Sequence, residues 1–339
     1  MMDISIPYYS DLSRISNSNI GWFLNKGPAF LHKMLTDPPP EEKNSTLERG
    51  TMIHEYLLQP EEFQKDYVVW DKRRPSSAQQ EKFCQELANS LEIEPNKAIL
   101  SAYKASYSTT NRSEEKMLSE GLKIASELKE YIDFLKSGDS RKMIGLWDIK
   151  MLEKTKENVE SHKLAKYILK PYDGSYYHHY HEFHINWEYV FPYRDSSGMA
   201  NVGEVKCKSL LDGLTLDFKG KKATIYDLKT TQKLWHFEDS MNMYDYLRQL
   251  AFYIHAVKWY LEEECCIDLG DWTYECYIIA IDTTGSYDIR VFKIDMDDVE
   301  SRDDTIHKAI VDIHWHQTTD QWDHTRAYYE GDGSEKLNL

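Results

Sequence analysis

The stretch KGKKATIYDLKTTQ, residues 219–232, decides how the rest of the chain is interpreted. It contains a short apolar segment that favours a β-strand, and the acid Asp227 and the base Lys229 stand two positions apart in it. Because side chains at i and i+2 of a strand lie on the same face, both charges are expected to point the same way. Taken alone, the pattern is typical of a surface strand with a salt-bridged edge. Residues elsewhere in the chain decide between that interpretation and a functional site.

The composition indicates a folded protein without a membrane-spanning segment. Of 339 residues, 41% are hydrophobic and 13% aromatic, which is enough for a sizeable core. No apolar run approaches the roughly 20 residues that cross a bilayer, and the N-terminus lacks the basic-then-apolar order of a signal peptide. The five cysteines form neither a C-x-x-C pair nor an even framework, so we expect reduced thiols and a cytoplasmic protein.

The net charge of −16 argues against broad, nonspecific coating of nucleic acid. It does not exclude an enzyme that acts on DNA, because phosphate contacts need only local lysine and arginine side chains. The function therefore has to be inferred from motifs and not from the overall charge.

The pattern changes from helical to strand-rich along the chain. Residues 1–40 are predicted to be an N-terminal helical segment, and residues 41–175 to be mainly helical. In EFHINWEYVF, residues 182–191, apolar and polar side chains alternate, as in a long strand with one core face. Residues 176–320 hold further strands and a long helix and predict an α/β (α+β) core, and residues 321–339 are predicted to be a C-terminal tail.

The turn between the two central strands decides which charged residues meet. A loop of two residues, Gly220-Lys221, or of four residues centred on them, sets Asp212 directly opposite Lys229. With either loop, Asp212, Asp227 and Lys229 converge at one end of the hairpin. A loop of odd length would separate them.

Two carboxylates with a lysine beside them indicate metal-dependent chemistry on phosphate. Close carboxylates repel each other unless a proton or a cation lies between them. Oxygen ligands with open positions suit Mg²⁺ or Mn²⁺, as one ion or two, which can polarise a phosphoryl oxygen and activate a water. A lysine can orient that water or offset the charge that develops in the transition state. This combination points to phosphodiester hydrolysis.

Two further pairs of residues lie far from the D-x-K strand in the sequence. Gln249 and Tyr253 stand at i and i+4, on one face of the predicted helix that follows the strand, and Gly50 precedes His54 by four positions. Taken singly, Tyr253 is typical of an interfacial aromatic residue and His54 of a hydrogen-bonded helix histidine. Their order and their combination with D-x-K are more informative than either pair alone.

In this order the residues resemble the motifs of the PD-(D/E)XK nuclease superfamily. The resemblance is strongest to its RecB-like branch with the phage and prophage RecE-like (exonuclease VIII-like) DNA exonucleases, and it covers roughly residues 10–320. The four-part ordered set is fairly specific, whereas D-x-K by itself is not. The matching motifs are G-x-x-x-H at Gly50 to His54, an aspartate at Asp212, D-x-K at Asp227 to Lys229, and Q-x-x-x-Y at Gln249 to Tyr253.

The resemblance implies a restriction-endonuclease-like core, with a central mixed sheet flanked by helices and with N-terminal helical additions. It implies that Asp212, Asp227 and the backbone carbonyl of Leu228 bind the metal and that Lys229 is the catalytic lysine. It also places His54 beside the metal, as a ligand or as an orienting group.

The remaining roles that the resemblance implies are less sharply assigned. Gln249 and Tyr253 are expected to support the site or to contact the DNA backbone. The family often has an acid on the preceding strand, which is matched here by Glu188 as a catalytic residue and metal ligand, with Glu182 as the alternative. Asp217 could replace Asp212 as a ligand, but its opposite parity on the strand ranks it lower. The stretched approach KCKSLLD, residues 206–212, leaves the roles of its two lysines open.

The activity that the resemblance implies is a metal-dependent exonuclease on linear duplex DNA that exposes single strands for phage-type homologous recombination. The implied partners are double-stranded DNA ends and a single-strand annealing protein. The implied assembly is a ring-shaped homo-oligomer, phage- or prophage-encoded, in the bacterial cytoplasm, with basic residues such as Lys72, Arg73 and Arg74 lining a channel. The alternatives are a structure- or single-strand-specific endonuclease and a catalytically inactive DNA-binding module.

Two other clusters in the sequence contain residue types that can bind metals. The histidines of YYHHYHEFH, residues 176–184, match no structural zinc spacing. Cys265, Cys266 and Cys276 do not supply the four flanking cysteines of an iron–sulfur nuclease. Neither cluster is predicted to bind a metal.

Overall fold

The computed structural model describes residues 6–40, 45–92, 94–170, 174–194 and 198–335. The chain divides into two compact units, which we name the sheet unit (Met1–Pro60 and Leu152–Leu339) and the helical unit (Glu61–Met151). The outer ends of the predicted N-terminal segment and C-terminal tail, residues 1–5 and 336–339, lie outside the described residues. The domain boundaries that we placed from composition remain predictions.

The secondary structure is predominantly helical before residue 175 and mixed after it. The helices are α1 (Asn17–Lys26), α2 (Pro28–Thr36), α3 (Ser45–Leu58), α4 (Pro60–Asp66), α5 (Ala78–Ala88), α6 (Pro95–Ser106), α7 (Glu114–Glu127), α8 (Lys129–Lys136), α9 (Leu146–Ser161), α10 (Lys163–Leu169), α11 (Phe237–Tyr244), α12 (Tyr246–Trp259), α13 (Met296–Glu300), α14 (Asp303–Thr319) and α15 (Arg326–Glu330). The strands are β1 (Tyr67–Val69), β2 (Lys142–Ile144), β3 (Tyr177–Arg194), β4 (Ala200–Asp217), β5 (Lys222–Thr231), β6 (Thr273–Asp282) and β7 (Ile289–Ile294). In the described part of the chain, no helix has the length and apolar character needed to cross a bilayer.

The helical unit has its own core, built from α5 to α8. Ser77 and Ser113 cap α5 and α7 by accepting hydrogen bonds from backbone N–H groups in the first turn. The apolar faces of the four helices then bury side chains such as Phe83, Tyr103 and Ile132 against one another. The short strands β1 and β2 pair in parallel within the same unit.

The sheet unit is organised around a five-stranded mixed sheet of order β3-β4-β5-β6-β7. All neighbouring pairs are antiparallel except β5 and β6, which run parallel. A parallel pair needs a crossover connection, and helices α11 and α12 supply it. Helices α1, α12 and α14 contribute buried residues such as Ile20, Phe252 and Ile310 to one core with the sheet. This architecture is the mixed sheet with flanking helices that the sequence predicted.

The β4–β5 hairpin has the even loop that we expected, but its register differs from the predicted one. Asp217 pairs with Lys222, so the loop consists of residues 218–221. The cause is Asp217, whose side chain accepts hydrogen bonds from the backbone N–H groups of Lys219 and Gly220 and so begins the turn one residue early. Continuing the register from Gly213 opposite Tyr226 brings Asp212 level with Asp227. The prediction that Asp212 lies directly opposite Lys229 was wrong by one position on each strand.

Strands β3 and β4 change their alternation at one point. In β4, Leu211 and then Leu214 belong to the same core, although their parities differ. Opposite this point, Glu182 has a φ of 47°, a left-handed conformation that is uncommon for residues other than glycine. The regular alternation predicted for residues 182–191 therefore holds only from Phe183 onward. Such local irregularities concentrate at functional sites, where surrounding structure maintains them.

Candidate active site

Three potential metal ligands converge where β3 and β4 change their alternation. His54 Nδ1 lies 3.6 Å from Asp212 Oδ2 and 3.8 Å from Glu182 Oε1. One ligand atom from each residue lies within 4.8 Å of the other two, and among the described residues these form the one group of this kind. Two carboxylates and an imidazole are a donor set that suits a divalent cation.

Helix α3 brings His54 to the sheet because Gly50 permits a close approach. A Cβ atom at Gly50 would lie only 3.2 Å from Oγ1 of Thr230 on β5. His54 follows one helical turn later on the same face of the helix, since i and i+4 residues are neighbours there. The G-x-x-x-H spacing thus has a direct geometric reason.

Asp227 and Lys229 form a buried pair at the same end of the sheet. Lys229 Nζ lies 2.5 Å from Asp227 Oδ2, and the side chain of Asp227 is 2% exposed. Asp212 is tied to the same strand, because the backbone N–H of Leu228 donates a hydrogen bond of 2.6 Å to Asp212 Oδ2. Asp212 thereby joins the His54–Glu182 group to the D-x-K strand.

One oxygen of this site lacks a hydrogen bond of suitable geometry. Asp227 Oδ2 is buried and has no hydrogen-bond partner, because the nearby Lys229 ammonium contacts it only as an ion pair. The ammonium offsets the charge of this oxygen but leaves it without a well-aligned donor, so a second cation could also bind there. The three-residue group around Asp212, with Asp227 beside it, has a donor set that fits a divalent metal ion.

Burial and mutual repulsion shift the pKa values of the acids. Burial raises the pKa of Asp227 to about 6, and repulsion from Asp212 adds to the rise against the attraction of Lys229. Burial likewise raises the pKa of Asp212. Burial disfavours the charged form of His54, but the carboxylates of Asp212 and Glu182 outweigh it and raise its pKa. The two aspartates are therefore short of positive charge when no metal is present.

Helix α12 holds Asp227 from the other side through the two residues of the Q-x-x-x-Y motif. The Gln249 side-chain amide donates hydrogen bonds to Asp227 Oδ1 at 3.0 Å and to the Tyr253 hydroxyl at 2.7 Å. Tyr253 is itself buried in the core. The structure thus places both residues at the D-x-K strand end, with Gln249 in contact with the acid and Tyr253 behind it.

The structure places the two candidate accessory acids in different surroundings. Glu182 lies beside His54, whereas Glu188 lies farther along β3, where Arg14 Nη1 approaches it at 3.8 Å. Glu188 is therefore not brought to the group around Asp212. The left-handed backbone at Glu182 is the reason, since it breaks the alternation that would have put both acids on one polar face.

Other residues singled out in the sequence have structural contacts. Asp217 caps the β4–β5 turn. Lys208 Nζ donates hydrogen bonds to the backbone carbonyls of Tyr8 and Asp11, so it fixes the N-terminal segment and does not enter the site. In the histidine tract, residues 176–184, His181 also has partners within the protein, because it hydrogen-bonds to His179 and to the hydroxyl of Tyr226.

Tyr226 and Gly213 were missed in the sequence although they shape the site. The Tyr226 ring lies where a side chain at Gly213 would stand, since a Cβ there would be 1.8 Å from a ring carbon. Its hydroxyl bonds to His181 Nδ1 at 2.6 Å, and burial lowers the pKa of His181 to about 4, so that this histidine is neutral. A glycine directly after the candidate ligand Asp212 was the available signal.

One family model matches part of the chain and supports the class of fold. Residues 194–326 match the model of a family described as "PDDEXK-like domain of unknown function (DUF3799)". No curated protein sequence matches the chain. Among solved structures, one described as "Putative exonuclease" from Eubacterium rectale is similar, with 13% identity, coverage of 100% of this chain and 96% of that chain, and a TM-score of 0.46.

The matched segment contains Asp212, the D-x-K strand and the Q-x-x-x-Y helix, whereas His54 and Glu182 precede it. With the mixed sheet and its flanking helices, the match confirms the predicted PD-(D/E)XK-type fold and supports the nuclease superfamily of that name. The assignment to its RecE-like branch remains a prediction.

Proposed function

We propose that this protein is a metal-dependent deoxyribonuclease that degrades linear duplex DNA from its ends. The observation that carries the proposal is the convergence of the His54–Glu182–Asp212 group with the Asp227–Lys229 pair. The PDDEXK-like family match over residues 194–326 supports the same chemistry. A salt-bridged structural strand would not need a second buried acid at the same point.

The groups that would hold Mg²⁺ or Mn²⁺ are the side chains of Asp212, Asp227, Glu182 and His54 and the backbone carbonyl of Leu228. When bound, such an ion polarises the scissile phosphate and lowers the pKa of a water molecule. The buried carboxylates of Asp212 and Asp227 fix where positive charge is held.

Lys229 supplies a fixed positive charge to the site. Its ammonium lies between Asp227 and the ring of Tyr246, whose centroid is 4.9 Å away. The surrounding acids outweigh burial and raise the pKa of Lys229, so it stays protonated at neutral pH. In this position it can donate a hydrogen bond to the attacking water or to the phosphate oxygen on which negative charge develops. Hydrolysis then joins the water oxygen to phosphorus and breaks the bond to the leaving oxygen, which takes up a proton.

Gln249 has a positioning role. By donating to Asp227 Oδ1, it leaves Oδ2 to the Lys229 ammonium and to a bound cation. Tyr253 accepts from the same amide and so fixes its orientation. Groups that orient a metal ligand in this way commonly contribute 10- to 100-fold to metal affinity or activity, as an order of magnitude.

The decisive experiment compares linear and circular duplex DNA, labelled at the 5′ or the 3′ end, with Mg²⁺, with Mn²⁺ and with chelator. We expect the linear DNA to be degraded from its ends only with metal, and circular DNA to survive. Cleavage of the circle would favour the endonuclease alternative. Binding of DNA without cleavage by any metal-loaded preparation would favour the inactive DNA-binding module.

The assembly and its partners are part of the same proposal. A closed homo-oligomer around the duplex would reconcile a net charge of −16 with DNA binding, because basic residues could line the channel while acids face outward. The role we assign is to expose single strands for a prophage-type recombination system that uses a single-strand annealing protein. A strictly monomeric mass at micromolar concentration, measured by light scattering, would contradict the ring.

A further inference from the structure

A groove of about 740 Å³ opens beside Lys229, within the sheet unit. Helix α1 forms one wall, and the α11–α12 turn forms the other. Its volume lies in the range of about 300–1,000 Å³ that is typical of ligand sites. Lys229 and Gln249 line its inner end, so the groove leads directly to the candidate active site.

The groove is locally basic although the chain as a whole is acidic. Its lining contains Lys26, Lys229, Arg248 and Arg302 against a single acid, Asp245. Against a net charge of −16 for the chain, this concentration of cations marks a place for a negatively charged ligand.

Asp245 fixes two of these cations without neutralising the groove. It adopts a left-handed conformation with a φ of 47°. Its carboxylate accepts from Arg302 Nε at 2.9 Å and from Arg248 Nη1 at 3.4 Å. One carboxylate therefore serves two guanidinium groups, and one positive charge is left uncompensated.

Gly21 leaves room for the outer nitrogen of Arg248. A Cβ atom at Gly21 would lie 2.8 Å from Arg248 Nη2. The rest of the guanidinium is held by Asn17, which accepts from Nε at 3.0 Å. Arg248 is thus fixed in position, with one nitrogen directed toward the glycine-lined wall. A held guanidinium of this kind suits recognition of a phosphate oxygen.

A column of near-parallel aromatic rings ends in the groove. Phe292 stacks on Phe237 at 13°, Phe237 on Tyr246 at 25°, and Tyr246 on Tyr244 at 22° between ring planes. The inner rings belong to the core or pack against it, whereas Tyr244 is 59% exposed. The column therefore presents an open aromatic face beside the basic groups.

We propose that this groove binds a nucleotide of the DNA strand next to the cleaved bond. Tyr244 stacks on its base, and Arg248 with Arg302 holds its phosphate. The inference rests on the proposed nuclease function for the identity of the ligand. Because every base has a stackable face, such a subsite is tolerant of sequence, as an enzyme that degrades a strand progressively requires.

The test is DNA binding in the presence of chelator, measured by fluorescence anisotropy with a single-stranded oligodeoxynucleotide, so that cleavage does not enter the readout. Loss of one stacked base typically costs enough to weaken binding about 5- to 100-fold. We expect Tyr244→Ala to show a loss in that range and Tyr244→Phe to bind like the wild type. Tyr167→Ala is the matched control, because Tyr167 is equally exposed at 61% and lies outside the groove lining.

An abasic position moved along the oligonucleotide sharpens the test. With the wild-type protein, an abasic site at one position of the oligonucleotide should weaken binding as much as Tyr244→Ala does. The Tyr244→Ala protein should lose no further affinity when the abasic site stands at that position. If Tyr244→Ala binds as tightly as Tyr167→Ala, the stacking inference is overturned while the nuclease proposal stands. If no protein binds DNA and none cleaves it with metal, both proposals fail.

Gly21→Ala tests the phosphate contact separately. The added methyl must displace Arg248 Nη2, and a melting temperature close to that of the wild type would show that the fold is retained. DNA affinity should fall, and its dependence on salt should weaken by about one charge. Unchanged affinity and unchanged salt dependence would show that Arg248 does not contact phosphate.

Discussion

Strand β5 carries an acid–lysine arrangement at each of its ends, and the two differ in burial. At its start, Lys222 Nζ lies 3.1 Å from Glu275 on β6, and Lys293 on β7 lies 2.8 Å from the same acid. Toward its other end, Lys229 lies 2.5 Å from Asp227. The side chain of Glu275 is 26% exposed, whereas that of Asp227 is 2% exposed.

The two acids respond to their lysines in opposite ways. Burial works against ionisation of Glu275, but hydrogen bonds from Lys293 and Lys222 outweigh it and lower the pKa. Burial raises the pKa of Asp227 to about 6 even though a lysine is in contact with it. The two lysines beside Glu275 more than offset the effect of its burial on the pKa, whereas the single lysine beside Asp227 does not. The distance between acid and lysine therefore does not distinguish a structural ion pair from a candidate site. The solvent exposure of the acid and the positive charge around it do distinguish them.

The largest expected effect is on cleavage. Replacing Asp227 by Asn keeps the shape of the side chain and removes a charge that we propose binds metal, so we expect DNA cleavage to fall by roughly 10²- to 10⁴-fold. Glu275→Gln is the matched control at the other end of β5 and should leave cleavage within about twofold. The measurement is initial rate on end-labelled linear duplex with saturating Mn²⁺.

A measurement of DNA binding without metal separates the effect of these substitutions on cleavage from their effect on DNA affinity. Asp227→Asn should bind as tightly as the wild type or more tightly, because a carboxylate that repels phosphate is gone. Substantial cleavage by Asp227→Asn, together with weaker metal-free binding, would mean that the site has been misassigned.

A smaller effect should distinguish the two acids of β3. Glu182→Gln removes a carboxylate from the group around Asp212, so Mn²⁺ affinity should fall about 10- to 100-fold. Glu188→Gln should not change it, because Glu188 contacts Arg14 instead. Calorimetric titration of each protein with Mn²⁺ gives the comparison directly. A loss confined to Glu188→Gln would restore the assignment first made from sequence.

A separate effect is on stability in the presence of chelator, and it should have opposite signs at the two ends of β5. The folded-state pKa of Asp227 is raised from 3.8 to about 6, so its stabilising protonated form is lost as pH rises between these values. Asp227→Asn should therefore be more stable than the wild type above pH 6, by up to about 3 kcal/mol, with the difference vanishing below pH 4.

Glu275 provides the contrasting case. Its pKa is lowered from 4.5, so its contribution is present above that pH and is lost as pH falls. Glu275→Gln should be less stable than the wild type at neutral pH, by less than about 1 kcal/mol because the pair is partly solvated. Thermal unfolding of the three proteins between pH 4 and pH 8 measures both differences. A destabilised Asp227→Asn protein at pH 8 would contradict the charge balance described above.

The architecture could be predicted because its signals are local in the sequence. Alternation in residues 183–191 defines a strand, and the parity of Asp227 and Lys229 follows from strand geometry. The order of the motifs then indicated the PD-(D/E)XK-type core. That Gln249 and Tyr253 lie on one face of α12 also followed from helix periodicity.

The details that escaped prediction depend on single backbone conformations. The turn started by Asp217 moved the β4–β5 register by one position on each strand. The left-handed backbone at Glu182 selected it over Glu188 as the neighbour of His54. Neither conformation can be predicted from the hydrophobic pattern, because both occur at polar residues. The basic groove beside Lys229 was likewise hidden, since its walls come from α1 and from α11–α12, which are more than 200 positions apart in the chain.

The distance along the chain between His54 and Asp212 also has a consequence during synthesis. A ribosome adding about 5–20 residues per second needs roughly 8–30 s to make the segment between them. Throughout that interval the nascent chain contains the imidazole but lacks both aspartates, because Asp227 emerges later still. The assembled group depends on the pairing of β3 with β4, so a partly translated chain that ends before β4 cannot form it. Arrested chains that end before β4 should accordingly show no Mn²⁺-dependent protection from proteolysis.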